Sequence, residues 1–142
     1  MLIVRNFVGR SPIQGNGVFA GENIRQGTVI WRIDPRFDIG FDMRDLEALP
    51  EAAREFLETY SYPWLGRAGK MLLNVDNSRF MNHCEHPNTD FRPFDYGTAI
   101  RDIAEGEEIT CNYGEFNPAF SGVFNEALAG GGDAAGPDPL PK

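Results

Sequence analysis

The spacing of hydrophobic positions changes twice along the chain, which divides it into strand-like and helix-like parts. Residues 2–33 carry short β-branched and aromatic runs broken by glycines, a pattern typical of antiparallel strands joined by tight turns. Over residues 49–60 the apolar side chains recur at helical spacing, and Pro50 followed by Glu51 favours a helix start. The predicted strands cover residues 2–4, 18–20, 29–31, 71–75, 97–101 and 108–111. The chain is therefore predicted to be mostly β, with one amphipathic helix.

Two stretches of the chain resemble one another. Residues 23–30 and 102–109 each contain an isoleucine, a glycine turn and a returning strand, which predicts two similar corners rather than a solenoid repeat. Residues 129–142 are mainly Gly, Pro and Ala and offer almost nothing to bury, so they predict a flexible tail. We expect one domain over residues 1–128, with its motif-bearing core at about 5–116.

The charge of the chain narrows the class of partner. The 142 residues include 13 basic and 21 acidic ones, a net charge of −8, which disfavours nucleic acid and anionic membranes and favours a basic protein or peptide. The same charge also simply aids solubility, so it does not decide the partner. The sequence shows neither an apolar run of about 18 residues nor the features of a signal peptide. We expect a cytoplasmic or nuclear protein, or one delivered into a host cell.

The cysteines and histidines argue against a metal site. Only Cys84 and Cys111 are present, which excludes a four-cysteine zinc site and a disulfide framework, so we expect two reduced thiols. His83 and His86 flank Cys84 at a spacing that could hold a metal, but no second cluster supplies the missing ligands. We predict no bound metal.

Three motifs carry the candidate chemistry. They are S-P-I-Q-G-N-G-V-F-A at residues 11–20, R-F-M-N-H-C-E-H-P-N at residues 79–88, and G-E-E-I-T-C-N-Y-G at residues 106–114. Taken singly, each has a plain structural interpretation: a hairpin turn, a loop whose polar side chains bond to the backbone, and a core tyrosine at a strand end. Their order and spacing together carry more information than any one of them.

In this order the three motifs resemble those of SET domains, a family of protein-lysine methyltransferases. The resemblance implies a mostly β SET fold, with several small sheets around a pseudoknot and one or two short helices. It also implies S-adenosylmethionine as the cofactor and Tyr113 as the catalytic tyrosine. The cofactor residues that it implies are Gly15, Asn16, Gly17, Asn82 and His83, with Gln14 as a weaker neighbour.

The resemblance further implies a channel for the target lysine. Tyr60, Tyr62 and Phe91 are the candidates for its aromatic walls, with Trp64 as a further one. Phe91 falls where some family members carry a residue that limits methylation, and its lack of a hydroxyl leaves room for more than one methyl group. No cysteine-rich zinc tail follows the domain, so the Phe-rich residues 116–128 are the candidate lid; alternatively they pack on the core as a terminal segment.

The chain departs from the usual family pattern at three positions. Cys84 stands where serine is common, Glu85 where a cysteine is common, and Asn112 where aspartate is common.

Two functions remain open. One is methylation of lysine in a basic protein such as a histone, a histone-like protein or a ribosomal protein. The alternative is a catalytically inactive SET-like module that binds a lysine-containing segment. The retention of Asn82, His83 and Tyr113 together favours the enzyme.

Overall fold

A computed structural model describes residues 1–117. The expected tail, and the candidate lid beyond Asn117, lie outside the described residues. Residues 1–117 contain one α-helix, α1 (Glu51–Tyr60), and three 3₁₀ turns, Met43–Ala48, Asn77–Phe80 and Tyr113–Glu115. The strands are β1 (Asn6–Arg10), β2 (Asn16–Ala20), β3 (Val29–Arg32), β4 (Asp38–Asp42), β5 (Ser61–Pro63), β6 (Lys70–Asn74), β7 (Asn82–His83), β8 (Thr89–Asp90), β9 (Tyr96–Ala99) and β10 (Glu108–Cys111).

The strands form three small sheets, with the orders β1-β2-β10-β7, β3-β9-β8 and β4-β6-β5. Neighbouring strands are antiparallel except β10 and β7, which are parallel and pair Thr110 with Asn82 and Cys111 with His83. Strand β10 therefore lies between the N-terminal hairpin and the second motif. The predicted mostly β class with several small sheets is confirmed.

Most of the predicted helix and strands agree with the observed elements. Helix α1 and strands β2, β3, β6, β9 and β10 coincide with predictions to within two residues at either end. The predicted strand at residues 2–4 is wrong, because Leu2 makes only an isolated bridge to Trp31 and the first strand is Asn6–Arg10. The apolar side chain of Leu2 is buried in the core, although the residue does not belong to a strand. Strands β4, β5, β7 and β8 were not predicted, since they are polar or only two to three residues long.

The two similar corners are confirmed, and they pair with each other. The main-chain N–H groups of Ile24 and Ile103 each donate to the other's carbonyl at 2.8 Å. Gly27 and Gly106 close the two turns at φ 83° and 82°, a left-handed conformation that favours glycine. Both isoleucines are buried in the core cluster, so the pairing joins the start of the chain to the segment that leads into β10.

A buried asparagine just before β8 binds the backbone of β10. Asn88, 1% exposed, donates from Nδ2 to the carbonyl of Glu108 at 2.7 Å. Its Oδ1 accepts the main-chain N–H of Thr110 at 2.9 Å. The hydroxyl of Thr89 donates to the carbonyl of Thr110 at 2.7 Å. These side-chain bonds add to the pairing of β10 with β2 and β7, and they fix the strand that leads into Tyr113.

No helix in residues 1–117 combines the length and the apolar composition that crossing a bilayer requires.

Candidate functional site

The first motif forms the turn between β1 and β2. The main-chain N–H of Ser11 donates to the carbonyl of Gly15 at 2.9 Å, and Gly15 has φ 47°. The hydroxyl oxygen of Ser11 accepts the N–H of Ile13 at 2.9 Å. Gly15 and Asn16 are exposed, whereas Gly17 is buried. A ligand can therefore approach the backbone at the tip of this turn, where Gly15 presents no side chain.

Asn82 ties this turn to the second motif. Its side chain is 4% exposed and lies with Nδ2 3.1 Å from the carbonyl oxygen of Gln14 and 3.0 Å from that of Asn16. The same nitrogen lies 3.0 Å from Oε1 of Glu108. Three acceptors therefore surround one amide group that has two hydrogens. Four of the predicted cofactor residues, Gly15, Asn16, Gly17 and Asn82, are held in one hydrogen-bonded unit.

His83 links the second motif to the third. Its Nδ1 accepts the main-chain N–H of Tyr113 at 3.0 Å, and the two rings lie 5.2 Å apart. Because Nδ1 is an acceptor, the neutral imidazole carries its proton on Nε2. The predicted cofactor residue His83 and the predicted catalytic residue Tyr113 are therefore direct neighbours.

The hydroxyl of Tyr113 is buried and protonated. The side chain is 9% exposed, and its hydroxyl donates to the carbonyl of Met81 at 2.8 Å. Burial raises the pKa of Tyr113 above its ordinary value, with the nearby Cys111 thiol as a smaller cause. At neutral pH the group is a phenol, which can donate one hydrogen bond and accept others but cannot act as an anionic base.

An aromatic cavity of about 180 Å³ lies beside Tyr113. Its walls include all three predicted channel residues, and Trp64 lines it as well. The aromatic residues that line the cavity are Trp31, Tyr60, Tyr62, Trp64, Phe91, Phe94, Tyr113 and Phe116. Residues that are distant in the sequence thus meet around a single space of the kind that suits an aliphatic stem with a cationic or polar end.

Phe116 is the centre of this aromatic group. Its ring centroid lies 5.0 Å from that of Tyr62, 5.8 Å from that of Tyr113 and 5.9 Å from that of Phe91. Phe91 in turn packs edge-on against Trp31 at 5.8 Å. Of the candidate lid, the structure describes Phe116 and Asn117, and both line the cavity.

A polar pair lies among these rings. The hydroxyl of Tyr62 lies 3.1 Å from Nδ2 and 3.3 Å from Oδ1 of Asn74, and both residues line the cavity. Burial raises the pKa of Tyr62 above its ordinary value. The cavity is therefore lined by a second neutral phenol besides that of Tyr113.

The predicted cofactor residues lie beside the cavity rather than in its wall. Gly15, Asn16 and Gly17 belong to the β1-β2 turn and the start of β2, while Asn82 and His83 form β7, so all five lie on the sheet of order β1-β2-β10-β7. Tyr113 belongs to both places, since its ring lines the cavity and its N–H binds His83. Tyr113 therefore connects the sheet that carries the exposed glycine turn with the aromatic cavity.

Two of the three departures from the family pattern, Asn112 and Cys84, lie at positions that form local hydrogen bonds. Asn112 accepts the N–H of Gly114 at 2.9 Å and so caps the 3₁₀ turn that starts at Tyr113, as an aspartate could. The main-chain N–H of Cys84 donates to the carbonyl of Cys111 at 2.9 Å, a bond that does not depend on the side chain. Among residues 1–117, no group of three or more His, Cys, Asp or Glu is placed to hold a metal ion.

Sequence reasoning missed several residues of the site. Ser11 and Glu108 lie inside the quoted motifs, yet their direct hydrogen bonds at 2.8 and 2.9 Å join positions 97 residues apart. Trp31 and Asn74 lie on strands that carry no motif. The available signal was that Ser11 and Glu108 are polar residues within the first and third motifs. Hydrophobic periodicity, however, does not tell which strands become neighbours.

Comparison with known protein families decides the assignment. The model of the SET domain matches residues 15–114, well over half of the chain, and the match runs from Gly15 to the residue after Tyr113. This protein belongs to the SET-domain family. Most members of that family are protein-lysine methyltransferases. No curated protein matches the chain.

Solved structures show the same SET fold. A humanized mutant of the Chaetomium thermophilum Polycomb Repressive Complex 2 is 24% identical, with a TM-score of 0.58 over 81% of this chain and 15% of that one. A Plasmodium falciparum protein assigned as a histone methyltransferase is 21% identical, with a TM-score of 0.53 over 78% of this chain and 93% of that one. The Chaetomium complex in an autoinhibited conformation bound to S-adenosylmethionine is 22% identical, with a TM-score of 0.57 over 89% and 17%. The SET domain described here thus spans less than a fifth of the Chaetomium chains.

Proposed function

We propose that this SET domain transfers a methyl group from S-adenosylmethionine to the side-chain amine of a lysine in a basic protein. The observation that carries the proposal is the position of Tyr113, whose ring lines the aromatic cavity while its N–H binds His83 beside Asn82. Family membership supports the reaction class. The net charge of −8 supports a basic partner, such as a histone, a histone-like protein or a ribosomal protein.

The cofactor would lie against the exposed turn at Gly15 and Asn16, with Asn82 and His83 at its other side. When bound, S-adenosylmethionine supplies a methyl group on a positively charged sulfur, and transfer to an amine needs alignment rather than a covalent enzyme intermediate. The hydrogen bonds of Asn82 to the carbonyls of Gln14 and Asn16 hold the turn in place before any ligand binds. The protein therefore contributes a preformed cofactor surface.

The cavity would take the lysine side chain. Its aromatic walls, including Tyr60, Tyr62 and Phe91, suit the four methylene groups of the stem and exclude water from the amine. Removal from water lowers the pKa of the amine, and a nearby positive charge lowers it further. The neutral amine that attack requires is then produced by the site without a dedicated base.

Tyr113 would orient the amine. Its hydroxyl stays protonated, because burial raises its pKa, and it already donates to the carbonyl of Met81. The hydroxyl oxygen can accept a hydrogen bond from the amine, while carbonyl oxygens nearby can make weak C–H contacts with the methyl group. The role of Tyr113 is thus to align the reacting atoms.

Two measurements test the proposal on the full chain. Titration calorimetry with S-adenosylmethionine compares the wild type with Asn82→Ala, and transfer of labelled methyl to a mixture of basic proteins compares the wild type with Tyr113→Phe. We expect cofactor binding to be lost in Asn82→Ala. We expect Tyr113→Phe to bind the cofactor but to transfer label at least about a hundredfold more slowly.

Tyr96→Phe is the matched control, since Tyr96 is exposed on β9 and does not line the cavity. It should retain wild-type transfer. Labelled lysine that appears with the wild type and with Tyr96→Phe, but not with Tyr113→Phe, would support the enzyme. A wild type that does not bind the cofactor would rule out the methyltransferase and favour a module that binds lysine-containing segments without reacting.

A further inference from the structure

A single carboxylate joins the elements that we assign to cofactor binding. Both oxygens of Glu108 accept the hydroxyl of Ser11, at 2.8 and 2.9 Å. Oε1 of Glu108 also lies 3.0 Å from Nδ2 of Asn82. Ser11 begins the glycine turn and Asn82 begins β7, so the carboxylate lies where the turn, β7 and β10 meet.

We propose that Glu108 is a positioning residue for cofactor binding: its carboxylate fixes the glycine turn and the side chain of Asn82 in the geometry that the cofactor requires. This inference rests on the proposed function. It assigns to Glu108 an indirect role, through Ser11 and Asn82, rather than a contact with the reacting atoms.

The hydrogen bonds around Ser11 show how the effect would reach the turn. The hydroxyl of Ser11 donates its hydrogen to Glu108 and accepts the N–H of Ile13 at 2.9 Å. The N–H of Ser11 donates to the carbonyl of Gly15. The carboxylate therefore fixes the direction of the hydroxyl, and the hydroxyl fixes the backbone that leads to the exposed tip of the turn. Hydrogen bonds to an ionised acceptor are stronger than those between neutral groups.

Gly17 shows that the carboxylate fits tightly against the turn. A Cβ added to Gly17 would lie 2.8 Å from Cδ of Glu108 and closer still to its Oε1. A side chain at this position would have to push the carboxylate away from Ser11 and Asn82. The absence of a side chain at Gly17 is thus required by Glu108, in addition to any requirement from a ligand.

The adjacent acid provides a matched comparison. Glu107 forms an ion pair with Arg101 and accepts the N–H of Ala104 at 3.0 Å. These contacts involve the corner before β10 and none of the residues of the glycine turn. Removal of Glu107 therefore takes away a carboxylate of the same type, one position earlier, without touching the candidate cofactor surface.

The test is titration calorimetry of the full chain with S-adenosylmethionine. We expect the Kd of Glu108→Ala to rise about tenfold, which corresponds to the loss of one hydrogen bond to a charged group. Glu108→Gln keeps an oxygen that can accept from Ser11 or Asn82, so its Kd should stay within about threefold of the wild type. Glu107→Ala should bind like the wild type.

Gly17→Ala gives a second route that does not remove the glutamate. It should weaken binding about as much as Glu108→Ala, because it displaces the same carboxylate. In the double variant the added methyl group no longer meets the carboxylate, although its 3.1 Å contact with Cβ of Ser11 remains. We therefore expect the Kd of the double variant to be no higher than that of the weaker-binding single variant. Circular dichroism confirms that each variant is folded, and if Glu108→Ala does not fold, the comparison of Gly17→Ala, Glu108→Gln and wild type remains.

The outcomes separate this inference from the proposed function. If the wild type binds the cofactor and Glu108→Ala binds it equally well, the positioning role is wrong and the methyltransferase stands. Strictly additive losses in Gly17→Ala and Glu108→Ala would also overturn the inference, since they would act independently. If the wild type does not bind the cofactor, both are overturned.

Discussion

Replacement of Asn88 by alanine tests whether the hydrogen bonds of its side chain help to hold β10 in place. In the structure Asn88 is 1% exposed, and its amide satisfies the carbonyl of Glu108 and the N–H of Thr110. Alanine removes both partners and leaves a space too enclosed for bulk water. Strand β10 connects the carboxylate of Glu108 to Tyr113, so its stability bears directly on the site.

The expected cost follows from these two bonds. A buried polar backbone group that loses its partner costs about 1–3 kcal/mol, so two such groups predict a loss of roughly 2–6 kcal/mol in the free energy of unfolding. This is a large part of the roughly 5–15 kcal/mol that holds a typical domain folded. With ordinary sensitivity to denaturant, the midpoint of urea unfolding should fall by about 1 M or more.

Asn23→Ala is the matched control. Asn23 is exposed, and its Oδ1 accepts the N–H of Glu105 at 2.9 Å, so water can replace that bond. Its loss should cost about 1 kcal/mol or less. Urea unfolding followed by tryptophan fluorescence gives both numbers. Equal losses in Asn88→Ala and Asn23→Ala would show that burial of the Asn88 bonds does not matter, and the account of β10 would have to be abandoned.

Three further predictions concern Gly40, Glu115 and Phe91. An added Cβ at Gly40 would lie 2.8 Å from Cε3 of Trp64, so Gly40→Ala should lower the free energy of unfolding by about 1–3 kcal/mol and weaken peptide binding. Gly9→Ala, where the nearest contact of the added Cβ is 3.3 Å, should lower the free energy of unfolding by less. Urea unfolding of the two variants compares these losses. Burial raises the pKa of Glu115, so the folded state holds this proton more tightly and Glu115 makes stability fall as pH rises above 4.5. Glu115→Gln should remove this pH dependence. The measurement is the difference between the unfolding midpoints of the wild type and the variant at each pH from 4 to 7, and a difference that stays constant over this range would contradict the prediction. Phe91 lacks a hydroxyl, so mass spectrometry should find products with more than one methyl group, and monomethyl product alone would refute this.

The sequence predicted those features that depend on neighbours along the chain. Helix α1 was predicted because its apolar spacing and its Pro50-Glu51 start are local. The two glycine corners were predicted because a left-handed turn requires a glycine at a fixed place, Gly27 or Gly106. The three motifs identified the family because each is a short continuous segment. The family match over residues 15–114 contains the second and third motifs and residues 15–20 of the first.

The tertiary structure alone decided which of these segments meet. It brought Ser11 to Glu108 across 97 residues and placed Phe116 among three aromatic rings. It also placed the side chain of Asn88 against the backbone of β10, which no propensity indicates. Hydrophobic periodicity records which side of a segment is buried, but not against which distant segment it lies, because that depends on the path of the whole chain. The sequence by itself therefore determined the chemistry available, and the fold determined how that chemistry is arranged around Tyr113.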